Sequence, residues 1–178
     1  LVGSEMCIRD SCEAMILNSP DYLDISISEQ YLRLIEDSQV QAEYRVSTAK
    51  NGAGQRKGSE CTPTGWHKIR AKIGADAEIN SVFVGRRLTG EIFSPVLAAQ
   101  FPQRDWILSR ILWLTGLEPG INRYQDVDTA WRYIYIHGTA EENLIGQPCS
   151  HGCIRMRNQD VIDLFDRVKP GCKVLIHV

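Results

Sequence analysis

Toward the C-terminus the segment QPCSHGCIRM holds Cys149, His151, Cys153 and Arg155, and His137 lies sixteen residues before Cys153. These residue types at these spacings admit several chemistries. Cys149, His151 and Cys153 alternate, so an extended segment would turn all three to one side, and with His137 they would offer four metal ligands. Pro148 and Gly152 work against a regular strand there, and the spacing matches no zinc motif. A Cys149–Cys153 disulfide is a second arrangement, one that would consume the thiol doing any chemistry. The third is a nucleophile, which needs a thiol, a base brought from elsewhere in the fold and backbone donors for a developing oxyanion. A free thiol, with a pKa of about 8.5, is mostly protonated at neutral pH, and a neighbouring imidazole is expected to stabilise the thiolate. Gly152 leaves room for a substrate carbonyl, and Arg155 is a bidentate partner for a substrate carboxylate. Against all three stands the structural reading, in which the thiols are inert packing groups and the histidines are hydrogen-bonded core.

The elements that must position these groups are mostly strands. WRYIYIHGT alternates, with Trp131, Tyr133, Tyr135 and His137 on one face, so a strand is expected to end at His137 with Gly138 following. From Tyr22 the alternation of Leu23, Ile25 and Ile27 against Asp24 and Ser26 continues through YLRLIE and VQAEYRV, which predicts a three-strand antiparallel meander over 22–46. Residues 47–65 read as a long loop. Its GAGQRKGS lacks both the lysine position and the strand-to-helix setting of a phosphate loop. Strands are expected at WHKIRAKI, where His67 reads as a surface or packing residue, and at SVFVG. DWILSRILWL fits neither period and is assigned to a short helix, followed by the loop TGLEPGINRYQDVDT. NQDVIDLFDRV predicts a helix capped by Asn158 with Val161, Ile162, Leu164, Phe165 and Val168 on one stripe, and CKVLIHV predicts the last strand.

The chain of 178 residues, 43% hydrophobic, is long enough for one domain with a core. A net charge of -2 supplies no broad attraction to nucleic acid or anionic membrane, and Arg86-Arg87 reads as a solvated face. No apolar run reaches the roughly 20 residues of a membrane helix, and no secretory signal pattern is visible. Residues 1–11, LVGSEMCIRDS, resemble a translated transposase-type sequencing adapter and are set aside, leaving five of the six cysteines. None of the cysteines form a C-x-x-C pair.

IHGT followed by SHGCIRM resembles the signature of the L,D-transpeptidase catalytic domain, the YkuD-type family. The opening meander, TPTG before a strand and the ending NQDVIDLFDRVKPGCKVLI resemble that family in order, so the likeness spans 21–178 as one catalytic domain. The resemblance implies a mainly β fold, sandwich- or barrel-like, with one or two short helices. A lid would lie in residues 105–125, with Trp106 and Trp113 over the acyl chain. It implies Cys153 as nucleophile and His137 as base, oriented by the carbonyl of Gly138. Ser150, His151 and Gly152 would shape the oxyanion pocket, and Arg155 would hold the site or the peptide. The implied reaction is acyl transfer between peptidoglycan stem peptides: the diamino acid–D-alanine bond is cleaved, a thioester forms, and an acceptor amine resolves it. The product would be a 3-3 cross-link or a wall-anchored lipoprotein, in cell wall biogenesis and cell shape, with carbapenems as inhibitors. It implies no metal, no organic cofactor and no nucleic acid partner, and it leaves the oligomeric state open. The substrate's location implies the bacterial cell envelope or periplasm. An L,D-carboxypeptidase on the same site, or a non-catalytic wall-binding module on the same fold, are the alternatives. Cys149 departs from the expected small or apolar residue, as packing or as a resolving thiol.

Overall fold

The computed structural model describes residues 21–178; the adapter-like segment 1–11 lies outside the described residues. The strands are β1 (Tyr22–Ser26), β2 (Tyr31–Glu36), β3 (Gln39–Ser47), β4 (Gly65–Ile73), β5 (Ser81–Val84), β6 (Arg87–Ile92), β7 (Ile107–Gly116), β8 (Tyr135–Gly138), β9 (Ile154–Met156) and β10 (Lys173–His177). Among the described residues the two α-helices are α1 (Pro95–Gln100) and α2 (Asn158–Arg167). The fold is mainly β with two short helices, as the sequence leads one to expect. The meander β1–β2–β3 is antiparallel and in the predicted place. Leu23, Ile25, Leu32 and Val46 are fully buried, the outcome of period-2 patterning on a half-covered sheet.

The strands run in the order β4-β10-β1-β2-β3-β9-β8-β7-β5-β6, and an additional β4–β7 pairing closes the sheet into a barrel from which the β5–β6 hairpin projects. β7 makes this possible because its two halves have different partners. Ile107 and Leu108 pair with β5, whereas Ile111 to Gly116 pair with β4. Helix α2 lies over β7 and β8 and buries Val161, Leu164 and Phe165 in the main core. Each such side chain contributes about 1.5–3 kcal/mol when removed from water.

Several sequence expectations are corrected here. DWILSRILWL is strand β7, not a helix: it is covered on both faces, so its apolar positions run almost continuously. Its ladder also shifts register between Leu108 and Ile111, where Ser109 takes φ +66°, and that irregularity erases the period. The lid assigned to 105–125 falls with it, since Trp106 is buried edge-on to Phe93 and Trp113 faces Tyr135 from the neighbouring strand. The rest of that stretch is pinned by Asn122, which bonds Glu118 N and the carbonyls of Thr64 and Trp66. The strand expected from Trp131 begins only at Tyr135. The Asp128 carboxylate captures the amides of Tyr124, Ala130 and Trp131 and turns the chain, leaving Trp131 63% exposed. β6, β9 and α1 were not anticipated, although Ser94 caps α1 and Pro95 opens it, a readable start signal.

Asn158 is not the cap of α2. It is the first helical residue, after Arg157, and its side chain is buried. Its Nδ2 donates to Thr139 O and Glu142 Oε1, and its Oδ1 accepts from Ser109 Oγ at 2.7 Å. It thereby ties the end of β8 to the irregular turn of β7. Replacing Asn158 with Ala leaves the buried Ser109 hydroxyl and Thr139 carbonyl without this partner, and urea unfolding should show a loss of about 2–4 kcal/mol; an unchanged midpoint would contradict the role given to this residue.

Candidate active site

β8 and β9 are parallel neighbours in the register Ile136↔Ile154, His137↔Arg155 and Gly138↔Met156, which places Tyr135 beside Cys153. Odd-numbered residues of both strands therefore point the same way. Tyr135, His137, Cys153 and Arg155 all line one cavity of about 510 Å³. The Cys153 Sγ accepts a hydrogen bond from Tyr135 N at 3.3 Å and lies 3.5 Å from the carbonyl of Tyr133. His137 is buried, and its Nδ1 donates to the carbonyl of Gly138 at 2.7 Å, leaving Nε2 as the basic atom of the ring.

Gly138 allows this arrangement because no larger residue fits. A Cβ there would meet Asn158 Oδ1 at 2.3 Å and Leu108 O at 2.7 Å. The turn before Cys153 is fastened from outside: Thr48 O accepts the amides of Cys149 and Ser150, and Lys50 N donates to Ser150 O. Ser150 Oγ donates to Cys153 O at 2.6 Å and accepts from Gly152 N at 3.2 Å. Gly152 has φ +130°, and Thr62 Oγ1, from the long loop, donates to its carbonyl. His151 is exposed at the mouth of the cavity.

Arg155 is buried, and both of its terminal nitrogens are occupied: Nη1 by Glu141 at 2.8 Å and Nη2 by Asp105 at 2.9 Å. Of the two roles left open for it, this geometry matches holding the site. The Cys149 Sγ lies 3.9 Å from the same Nη1, and Cys61, Cys149 and Cys153 are free thiols. Among the described residues, no three His, Cys, Asp or Glu side chains are grouped as a metal would require.

Sequence reasoning missed much of the cavity wall. Arg132 donates to the carbonyls of Gly54, Gln55 and Cys61 and so braces the loop behind Gly152. Arg86, read as part of a solvated face, instead packs over Trp113 and Tyr133 and donates to Tyr135 Oη. The only signal for it was GRR after a strand, a hairpin-turn composition whose spatial neighbours lie far away in the chain. Arg87, beside it, is exposed as expected.

Burial in the cavity favours neutral partners. Burial pushes the Cys153 thiol up to about 12, with the Tyr135 amide and the Arg155 and Arg132 charges only partly offsetting it. Burial pulls His137 down to about 4 against the Gly138 hydrogen bond. Burial of both groups thus acts against the thiolate–imidazolium pair that a neighbouring imidazole is expected to favour, because each ion would lose hydration there.

The L,D-transpeptidase catalytic-domain model, YkuD, matches residues 20–176. The chain belongs to this family. Among relatives, this L,D-transpeptidase-family chain is 46% identical over 48 residues to YqjB of Bacillus subtilis (strain 168), which carries the L,D-transpeptidase name, a match covering 27% of each chain. It shares its fold with an L,D-transpeptidase from Mycobacterium smegmatis, at TM-score 0.54 and 17% identity over 88% of this chain and 58% of that one. It also shares it with an L,D-transpeptidase solved in complex with imipenem, at TM-score 0.53 and 19% identity, again over 88% and 58%. The chain thus spans less than three fifths of those solved chains and matches about a quarter of the curated relative.

Two measurements check the electrostatics. Alkylation of Cys153 by iodoacetamide should rise about tenfold per pH unit between pH 7 and 9, following the thiolate fraction of a thiol with a raised pKa. A plateau through neutral pH would instead indicate a resting thiolate–imidazolium pair. His67, buried between Gly65 O and Thr129 Oγ1, is likewise pulled down to about 4 by burial. Folded pKa values below the unfolded one mean that the unfolded chain binds more protons. The stability contributed by these neutral rings is complete above about pH 6.5 and declines as pH falls toward 4. The urea midpoint should fall across that window, less steeply in His67→Gln; identical slopes in the two proteins would refute this source of acid sensitivity.

Proposed function

We propose that the protein is a peptidoglycan L,D-transpeptidase in which Cys153 is the nucleophile and His137 the general base. The observation that carries the reading is the His137 Nδ1–Gly138 O hydrogen bond, which makes Nε2 the proton acceptor of a ring lining the same cavity as the Cys153 thiol. With both groups neutral at rest, the proton leaves Sγ for Nε2 as sulfur attacks, so charge develops only when the substrate carbonyl is there to receive it.

Sγ attacks the carbonyl of the diamino acid in a tetrapeptide stem. The tetrahedral oxyanion is stabilised by backbone donors of the turn that Ser150, His151 and Gly152 shape. Collapse breaks the bond to D-alanine, whose amine takes the proton from His137, and a thioester remains. An amine of a second stem then attacks the thioester carbonyl and loses its proton to His137. The thiol is restored and a new peptide bond joins the stems. Arg155 acts as a positioning residue through Asp105 and Glu141. The substrates are wall peptides, so the reaction belongs to the cell envelope and to wall construction.

Intact mass after incubation with a tetrapeptide donor should show an adduct of the donor minus D-alanine. The adduct should be absent in Cys153→Ala, and its rate of formation reduced about 10²–10⁴-fold in His137→Ala. Joined stems should appear only when an amine acceptor is added. Free tripeptide as the sole product with acceptor present would convert the assignment to an L,D-carboxypeptidase. Absence of any adduct would remove the acyl-transfer reading.

A further inference from the structure

Three arginines line the cavity around Cys153, and they are not equivalent. Arg155 is neutralised by Asp105 and Glu141, and Arg132 is engaged by three backbone carbonyls. Arg86 has a neutral partner, the Tyr135 hydroxyl at 2.8 Å, and otherwise rests against the faces of Trp113 at 4.5 Å and Tyr133 at 5.1 Å. A guanidinium carries five N–H donors, so this one bond leaves most of its fork unassigned. The aromatic faces fix its plane without satisfying those donors.

Its backbone adds a second, independent observation. Val84 pairs with Arg87 across the β5–β6 hairpin, and the two residues between them, Gly85 and Arg86, both have positive φ, +53° and +66°. This is the two-residue turn that favours glycine at its second position. Arginine there is held in a sparsely populated conformation that a bare turn would not select. The turn instead delivers a cation to the cavity wall. Tyr135, which receives it, is the residue whose amide donates to Cys153 Sγ, so the guanidinium stands one side chain away from the thiol. Among the described residues lining the cavity Asp105 is the one carboxylate, and Arg155 already holds it. The cavity is therefore formally cationic.

We infer that Arg86 is a specificity residue that binds a carboxylate of the acyl-donor peptide, through a charge-assisted fork presented by the β5–β6 hairpin beside Cys153. This rests on the acyl-transfer reading for its substrate but not for its test. Two carboxylates of a donor stem meet the requirement: the C-terminal one of D-alanine and the distal one of a dicarboxylic diamino acid.

The test measures binding of donor peptides to the Cys153→Ala protein by calorimetry, so no chemistry is needed. Three donors are compared: the native tetrapeptide, one amidated at the C-terminus and one amidated at the distal carboxylate. With Arg86 present, one of the two amidations should weaken Kd by about tenfold or more, and which one identifies the carboxylate. In Cys153→Ala/Arg86→Gln the native donor should weaken by a similar factor and that amidation should have no further effect. In Cys153→Ala/Arg86→Lys part of the affinity should return. Melting temperature checks that the hairpin substitutions leave the fold intact, and if Arg86→Gln is unstable, the Lys variant carries the comparison. Equal Kd values for all three donors, no measurable binding of any donor, or an Arg86→Gln loss that is the same for every donor would overturn the proposal. Thioester formation by the parent protein is read separately. Its absence together with Arg86-dependent binding would sink the acyl-transfer reading alone.

Discussion

The parallel ladder between β8 and β9 determines where the chemistry of this protein can occur. Parallel strands cannot be joined by a tight hairpin, so the chain must leave β8, travel through the 139–153 connection and return alongside in the same direction. Because the pairing is in register at His137↔Arg155, the alternation of each strand sends Tyr135, His137, Cys153 and Arg155 to one face. A slip of one residue in either strand would turn its members of this set toward the other side of the sheet. The rest of the architecture is arranged to prevent that slip.

Two close approaches lock the register. At the end of β8, Gly138 leaves room for the buried Asn158 amide, which holds Ser109, Thr139 and Glu142 together and so joins β7, β8 and α2 at one point. Before β9, the turn through Ser150 and Gly152 is bound by backbone hydrogen bonds to Thr48 and Lys50, just past β3, and by Thr62 further along the same loop. Here the polar groups are satisfied within the protein, which gives rigid placement. The same enclosure sets the electrostatics. Burial favours the neutral forms of the thiol and the imidazole, whereas carboxylates, carbonyls or aromatic faces surround the arginines beside them.

The position of β7 explains why the wall of the cavity differs from a simple lid. As a central strand paired with β4, β5 and β8, it cannot swing over the site. The approach to Cys153 is bounded instead by the β5–β6 hairpin tip and by Asp105 and Ile107 at the entry to β7. The hairpin is anchored in the core by Val82 and Phe83, and its tip, Gly85 and Arg86, reaches the cavity wall.

Local patterning determined a good deal by itself. Alternation located β1 to β3, strand-like segments marked β4, β5 and β10, the apolar stripe located α2, and the SHGC and IHGT residues pointed to the family to which the chain belongs. Those signals are legible because each depends on residues close together in the chain. What failed was whatever depended on distant partners. β7 lost its period because it is covered on both faces and irregular at Ser109, and the start of β8 was cut short by the Asp128 carboxylate. Asn158 looked like a cap until its partners on β7 and β8 were in place. The preference of Cys153 and His137 for neutral forms, the saturation of Arg155 and the stacking of Arg86 were decided only by tertiary structure. Burial and pairing are properties of the neighbours a side chain acquires, and in a barrel most of those neighbours are remote in sequence.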